Sequence, residues 1–283
     1  MRRWWLVAAL ALSVGGAPAC TARQRVKLET KVATALVSEA QEREIGRQIH
    51  KELDHQGVEY VRDPFVVDYV EDIVARLATE VRREGATDEV HVHVIDDLKI
   101  VNAFATPGGH LYVFSGLLLA AGDEAEVAGV LGHELGHIVA KHPARRLALA
   151  MGYQALASLA LGRDPEEIKQ VAASLLGGGV LAAHGRGEEN EADQLGIAYL
   201  HRAGYDPAGL VRFFKRVREM QGDPPAVLIW LSSHPATGAR IDRVREIIRG
   251  RGWEGGEEGK DVHQRVQRAL RPPAPTRGRP RGS

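Results

Sequence analysis

The chain is short of cysteine, of aromatic side chains, of net charge and of long apolar runs, and each shortage removes a class of protein. Its one cysteine, Cys20, in 283 residues cannot form an internal disulfide, so no disulfide framework holds the fold. Aromatics make up 5% of residues while glycine numbers 31, which argues against an aromatic-rich β-sandwich and for a helical core of Ala, Leu and Val. Lys plus Arg and Asp plus Glu both number 37, and that balance calls for no nucleic-acid partner. The apolar stretches Leu147–Leu161 and Val171–Ala183 fall short of the roughly 20 residues of a membrane-spanning helix. They are expected to be core helices, with a membrane-surface pair as the alternative.

The N-terminus carries an address. Arg2 and Arg3 form a positive start, Trp4 to Val14 an apolar core, and Gly15-Gly16-Ala17-Pro18-Ala19 a small-residue cleavage region. Residues 1–19 are therefore expected to be an export signal removed before Cys20. Cys20 resembles the lipid-modified first residue of bacterial lipoproteins, although Ala17 and Pro18 depart from the usual lipobox. Ala17-Pro18-Ala19 also fits ordinary signal cleavage at the same bond. The expectation is an exported, periplasmic protein held at a membrane surface through lipidated Cys20, since a free terminal thiol has no evident use there.

Residues 20–250 read as one domain. An amphipathic helix is expected over 26–56, with Ile45, Ile49 and Leu53 on one stripe, and a second from Asp63-Pro64, with Asp63 as its N-cap. Val90, Val92 and Val94 alternate with Glu89, His91 and His93 as a half-exposed strand. His91 and His93 are ligands on paper, but the expectation is a solvated strand face. Two apolar runs flank Pro107-Gly108-Gly109, a hairpin or tight turn. Further helices are expected from Asp123-Glu124, over Glu188–Leu200, over Leu210–Met220 and over Ala239–Ile248, with a break at Gly177-Gly178-Gly179. Residues 251–283, rich in Gly, Pro and Arg, are expected to be mostly disordered.

The stretch that carries chemistry is Gly132-His133-Glu134-Leu135-Gly136-His137. On a helix, residues four apart lie one above the other, so both imidazoles can reach one metal ion while Glu134 sits beside it as a base. Two histidines leave a zinc site incomplete, because catalytic zinc takes three protein ligands and keeps one position open. The densest acidic cluster downstream is Glu188-Glu189-Asn190-Glu191-Ala192-Asp193, which is also what a solvated first helical turn looks like.

Together these pieces resemble the zinc metallopeptidases that include HtpX and the CAAX prenyl endopeptidases, most closely their exported, BepA- and LoiP-like periplasmic branch. The likeness runs from about Glu42 to Arg245. It includes Glu44-Ile45-Gly46, Asp63-Pro64, Asn102 to Gly109, His133 to His142, Arg186 to Asp193 and Ser233-His234-Pro235. It implies an α+β, predominantly helical zincin with a small sheet beside the motif helix.

The resemblance also implies roles. His133, His137 and Glu189 would hold one Zn2+, Glu134 would be the catalytic base for a zinc-activated water, and Asp193 would support a ligand imidazole. Glu188 and Glu191 stay open as rivals to Glu189, whose i,i+4 spacing to Asp193 favours it. The strand His110, Leu111, Tyr112, Val113 resembles the edge strand on which the family lays an extended substrate. His234 would lie near the metal, either stabilising an oxyanion or occupying the open position, with Arg240 a weaker candidate for placing charge there. His142 lies five residues beyond His137, turned away from the pair, and is read as structural.

The implied activity is a metalloendopeptidase acting on misfolded or misassembled envelope proteins. The rival class is a chaperone-like or binding lipoprotein that keeps the fold and rarely cuts; a metalloenzyme of non-peptide substrates ranks third. Only about 33 residues follow Gly250, too few for the helical repeat array that some members carry there.

Overall fold

Alternation along three short strands divides the core in two. The computed structural model describes residues 38–83, 89–179, 183–220 and 229–271. Strands β1 (His91–Ile95), β2 (Ala103–Ala105) and β3 (His110–Phe114) form a sheet in the order β1-β3-β2, with β1 parallel and β2 antiparallel to β3. Successive side chains on a strand point to opposite faces. Val94, Ala103, Ala105, Leu111 and Val113 accordingly enter one apolar cluster, and Ile95, Phe104, Tyr112 and Phe114 the other.

The second cluster is closed by α1 (Glu39–His55), which lays Ile45, Ile49 and Leu53 on the sheet. Ser38 and Gln41 cap α1 reciprocally, which fixes where the described part of this helix begins. Residues 26–37, assigned to the same helix from sequence, lie outside the described residues, as do the signal segment and Cys20. The first cluster is closed by α2 (Pro64–Arg83) and by the long helix α4 (Glu124–Val139). Asp63 accepts from Phe65 N at 3.0 Å at the start of α2, and Asp123 accepts from Glu126 N at 2.8 Å at the start of α4. Between β3 and α4 runs the short helix α3 (Ser115–Ala120).

The stretch after α4 differs from the single helix expected over Leu147–Leu161. It forms α5 (His142–Met151) and α6 (Tyr153–Ala160), divided at Gly152, whose φ of 82° no L side chain adopts easily. Helix α7 (Pro165–Leu176) stops at the Gly177 to Gly179 run. Leu147, Leu156, Leu159, Val171 and Leu175 are buried, as core helices require. No helix among the described residues is long and apolar enough to cross a membrane. Helices α8 (Arg186–Arg202), α9 (Ala208–Glu219), α10 (Trp230–Ser233) and α11 (Gly238–Arg251) complete the first cluster.

Three expectations need correction. First, β3 is the central strand: Leu111, Tyr112 and Val113 pair with β1 on one side and β2 on the other. His110 pairs with His91, and its carbonyl accepts from Thr106 N. The parallel β1–β3 pairing, which hairpin logic cannot foresee, uses up the side left for an added substrate strand. His110, Leu111, Tyr112 and Val113 are therefore no substrate edge.

Second, the face that carries His91 and His93 is half-buried rather than fully solvated: His93 stacks on Tyr112 and on His50 of α1. Third, the C-terminal stretch is ordered to Arg271: α12 (Lys260–Leu270) docks with Val266 and His263 fully buried. Val262, Val266 and Leu270, spaced four apart, form the stripe that packs on the core. Residues 272–283 lie outside the described residues.

Candidate metal centre

Helices α4 and α8 touch backbone to backbone, and glycine is the reason. A Cβ at Gly136 would stand 2.8 Å from Ala192 O, and one at Gly196 would stand 2.9 Å from Gly132 C and His133 N. Atoms that close cannot coexist, so only glycine permits this approach. The approach brings Glu189 and Asp193 of α8 beside His133 and His137 of α4.

The four candidate ligand groups converge. His133 Nε2 lies 3.0 Å from His137 Nε2, and Glu189 lies 3.2 Å from His137 Nε2 and 3.6 Å from His133 Nε2. His234 enters from the segment after α10, its Nδ1 2.9 Å from Glu189 Oε1 and 3.1 Å from His133 Nε2. All four residues are buried. Glu188, one of the rivals, instead pairs with Arg145, Arg146 and His184. Glu191, the other, is largely exposed and faces His142.

Both carboxylates that α8 brings to the site, Glu189 and Asp193, are tied down. Asp193 lies 3.0 Å from His133 Nδ1 and takes Arg240 Nε and Nη2 at 2.6 and 2.7 Å. Arg240 is buried over the Phe214 ring and also contacts Glu189. Glu134, almost fully buried, accepts from Trp230 Nε1 at 3.4 Å and lies 3.4 Å from His234 Nε2.

The electrostatics follow from burying so many groups together. Burial works against Asp193 ionising, yet Arg240 keeps its carboxyl below the usual range. Burial likewise opposes Glu189, and His234 and His133 hold it well below. Burial pushes the Glu134 carboxyl up to about 7, against the pull of His133. His133 resists burial through Glu189 and Asp193 and is raised to about 9, whereas burial and His184 hold His137 well below its ordinary value.

This donor set fits a zinc-sized ion. Ligands at ~2.0–2.1 Å around a tetrahedral zinc stand roughly 3.3 Å apart, and the separations here, 2.9 to 3.6 Å, bracket that figure. Glu134, Glu189 and Asp193 are buried against the single guanidinium of Arg240. A divalent cation would take over the charge that Arg240 and a protonated His133 otherwise set against these carboxylates, where unpaired buried charge is costly.

Three neighbours escaped the sequence reading. His142 is not turned away: its Nδ1 lies 2.8 Å from His137 Nδ1, with Glu191 3.5 Å behind its Nε2. A helical-wheel extrapolation fails because α4 ends at Val139, and Lys141, at φ 56°, turns the chain back. A Lys at the end of a helix gives no signal of such a turn. His184 packs against His137 at 3.9 Å between ring centroids, and Trp230 stacks on His234 at 5.2 Å. Neither lies in a local pattern that marks it.

Residues 66–248 match the model of peptidase family M48. Among curated proteins, the chain is 31% identical over 181 residues to the mitochondrial metalloendopeptidase OMA1 of Schizosaccharomyces pombe, covering 64% of this chain and 52% of that protein. It is 31% identical over 211 residues to a putative beta-barrel assembly-enhancing protease of Vibrio cholerae, covering 67% and 40%. The beta-barrel assembly-enhancing protease of Escherichia coli K12 is 27% identical over 229 residues, covering 75% and 45%. The chain spans about half the length of the curated relatives it matches. With that match covering most of the described fold and the whole metal centre, the chain belongs to peptidase family M48.

Proposed function

We propose that this chain is a zinc-dependent endopeptidase of the bacterial cell envelope. The observation that carries the reading is the convergence of His133, His137 and Glu189, with Glu134 beside them and outside that group. When bound, the metal supplies a Lewis acid that makes water a competent nucleophile near neutral pH. Glu134 takes the proton of the attacking water and delivers it to the leaving amine as the peptide C–N bond breaks. Burial holds its proton affinity close to neutral pH, which suits a group that must both accept and donate. Asp193 accepts the Nδ1–H of His133 and so presents the other nitrogen to the metal. Arg240 keeps Asp193 ionised for that task.

The test is casein cleavage. Stripping the protein with a chelator abolishes cleavage, and stoichiometric Zn2+ restores it. Cleavage that persists in the stripped protein sinks the reading. Zinc binding with no cleavage by the wild type favours the binding or chaperone-like lipoprotein instead.

His234 acts as a gate in this reading. Its Nδ1 stands where the open ligand position is needed, close to Glu189 and His133. Substrate enters when the segment carrying Trp230 to Pro235 swings out. His234→Ala is then expected to raise casein turnover several-fold. A fall in kcat of about 10²-fold with unchanged KM would give His234 the oxyanion-stabilising role instead.

The catalytic unit runs from Cys20 past Gly250 to include the docked helix α12, delivered by the signal segment 1–19 and anchored through Cys20. Support comes from the N-terminal pattern and from relatives whose names place them in beta-barrel assembly. Misassembled envelope proteins are the proposed substrates. Incorporation of labelled palmitate into the wild type and not into Cys20→Ala checks the anchor; equal labelling removes it.

A further inference from the structure

A second group of histidines lies on the far side of the sheet from the motif helix. His50 comes from α1, His93 from β1 and His110 from the first position of β3. One nitrogen from each lies within 4.8 Å of the others. His93 Nε2 stands 3.0 Å from His110 Nδ1, and the His50 ring stacks on His93 with centroids 4.2 Å apart. His91, in register with His110, adds a fourth ring with its centroid 4.9 Å from that of His110.

We propose that His50, His93 and His110 form a second metal site, separate from the peptidase centre, that binds a borderline divalent ion such as Zn2+ and clamps α1 to the sheet.

The donor chemistry selects the ion. Three imidazoles without a thiolate suit Zn2+, Ni2+, Co2+ or Cu2+, and do not suit Mg2+ or Ca2+, which take oxygen ligands. His93 Nε2 and His110 Nδ1, 3.0 Å apart, are spaced as two ligand nitrogens of one ion would be, roughly 3.3 Å apart around a tetrahedral centre. The surroundings orient the third ring: Tyr112 Oη lies 3.2 Å from His50 Nδ1, and Asp54 lies 4.0 Å from His50 Nε2. His110 is buried while His50 and His93 are half-buried, which leaves the group reachable from solvent. The group also sits at a packed joint. A Cβ at Gly46, one turn before His50, would stand 2.1 Å from Pro107 O, so α1 presses on the turn that leads into His110. An ion there ties together three segments separated in sequence by 43 and 17 residues.

The experiment counts metal on the full chain. Protein is stripped, dialysed against micromolar free Zn2+, and its zinc measured by mass spectrometry per mole of chain. The wild type is expected to hold two ions and His93→Gln one. His137→Ala should retain the ion that His93→Gln loses, and the double variant none. With His137→Ala, added Zn2+ is also expected to raise Tm by about 5 °C, because an ion that binds only the folded state stabilises it. His93→Gln added to that background should erase the rise. A wild type with one ion that departs with His137 and not with His93 overturns the second site and leaves the peptidase centre standing. One ion that departs with His93 alone does the reverse. If His93→Gln fails to fold by circular dichroism, His50→Gln, on the half-exposed face of α1, answers the same question: two ions retained there overturns the proposal.

Discussion

Glu134→Gln is expected to lower casein turnover by about 10³-fold, within the range for loss of a general base, while the zinc content stays at the wild-type value. Glutamine has almost the same shape as glutamate, and its carbonyl oxygen still accepts from Trp230 Nε1, which lies 3.4 Å from Glu134 Oε1. What it cannot do is take a proton from water. The metal is unaffected because Glu134 is not among the converging ligands His133, His137, Glu189 and His234. Stability should hold or rise, since an amide replaces a buried carboxylate that burial already pushes up to about 7. Turnover and zinc content measured on one preparation decide the matter. Loss of zinc together with activity would show that Glu134 is a ligand and not the base. Undiminished turnover would place the base elsewhere.

Gly136→Val is expected to destabilise the fold by about 3 kcal/mol, at the upper end for overpacking, and to weaken zinc binding with it. A Gly-to-larger change inside a helix ordinarily gains helix propensity, ~1 kcal/mol for alanine. Here the new Cβ would stand 2.8 Å from Ala192 O and 2.9 Å from Ala192 Cα. Those are backbone atoms, so no rotamer change relieves the clash, and α4 and α8 must part. Ala192 is next to Asp193 and three residues from Glu189, so parting the helices draws both acids away from the imidazoles. Gly250→Ala is the control: its Cβ would meet nothing within 4 Å on α11, and it should gain a few tenths of a kcal/mol, at most ~1. Urea melts of both variants, with zinc affinity measured alongside, give the signs. A Gly136→Val protein as stable as the wild type would mean that the close helix contact is not what builds the site.

Local order was readable wherever neighbours in sequence are neighbours in space. His133 and His137 share a helix face by geometry alone, Asp123 caps that helix, and Pro107-Gly108-Gly109 turns β2 into β3. Glu189 and Asp193 share a face of α8 for the same reason. The N-cap at Asp63 and the glycine stop after α7 belong to this group as well.

Elsewhere, local pattern pointed the wrong way. His142 looked turned away from His137 because a wheel assumes that the helix continues, and α4 stops at Val139. Alternation made His93 a solvent-facing residue, because nothing in a strand pattern tells which helix will cover it. The family resemblance made β3 an edge strand, and the parallel partner β1 came from outside the hairpin. Gly, Pro and Arg after residue 250 suggested disorder, yet Val262, Val266 and Leu270 find a core to pack on.

By itself the sequence determined the helical α+β class, the paired imidazoles with their carboxylate, and an acidic segment able to complete them. Those features rest on periodicities of a few residues, which backbone geometry alone enforces. Only the tertiary structure decided that Glu189, and neither Glu188 nor Glu191, faces the imidazoles, that His234, Trp230, His142 and Arg240 close around them, and that His50 meets His93 and His110. Apart from His142, five residues from His137, these contacts join residues 17 to 107 positions apart or turn on which side of a helix meets its neighbour. Glycines at the crossing of α4 and α8 set that meeting, and packing between distant segments has no local periodicity to announce it.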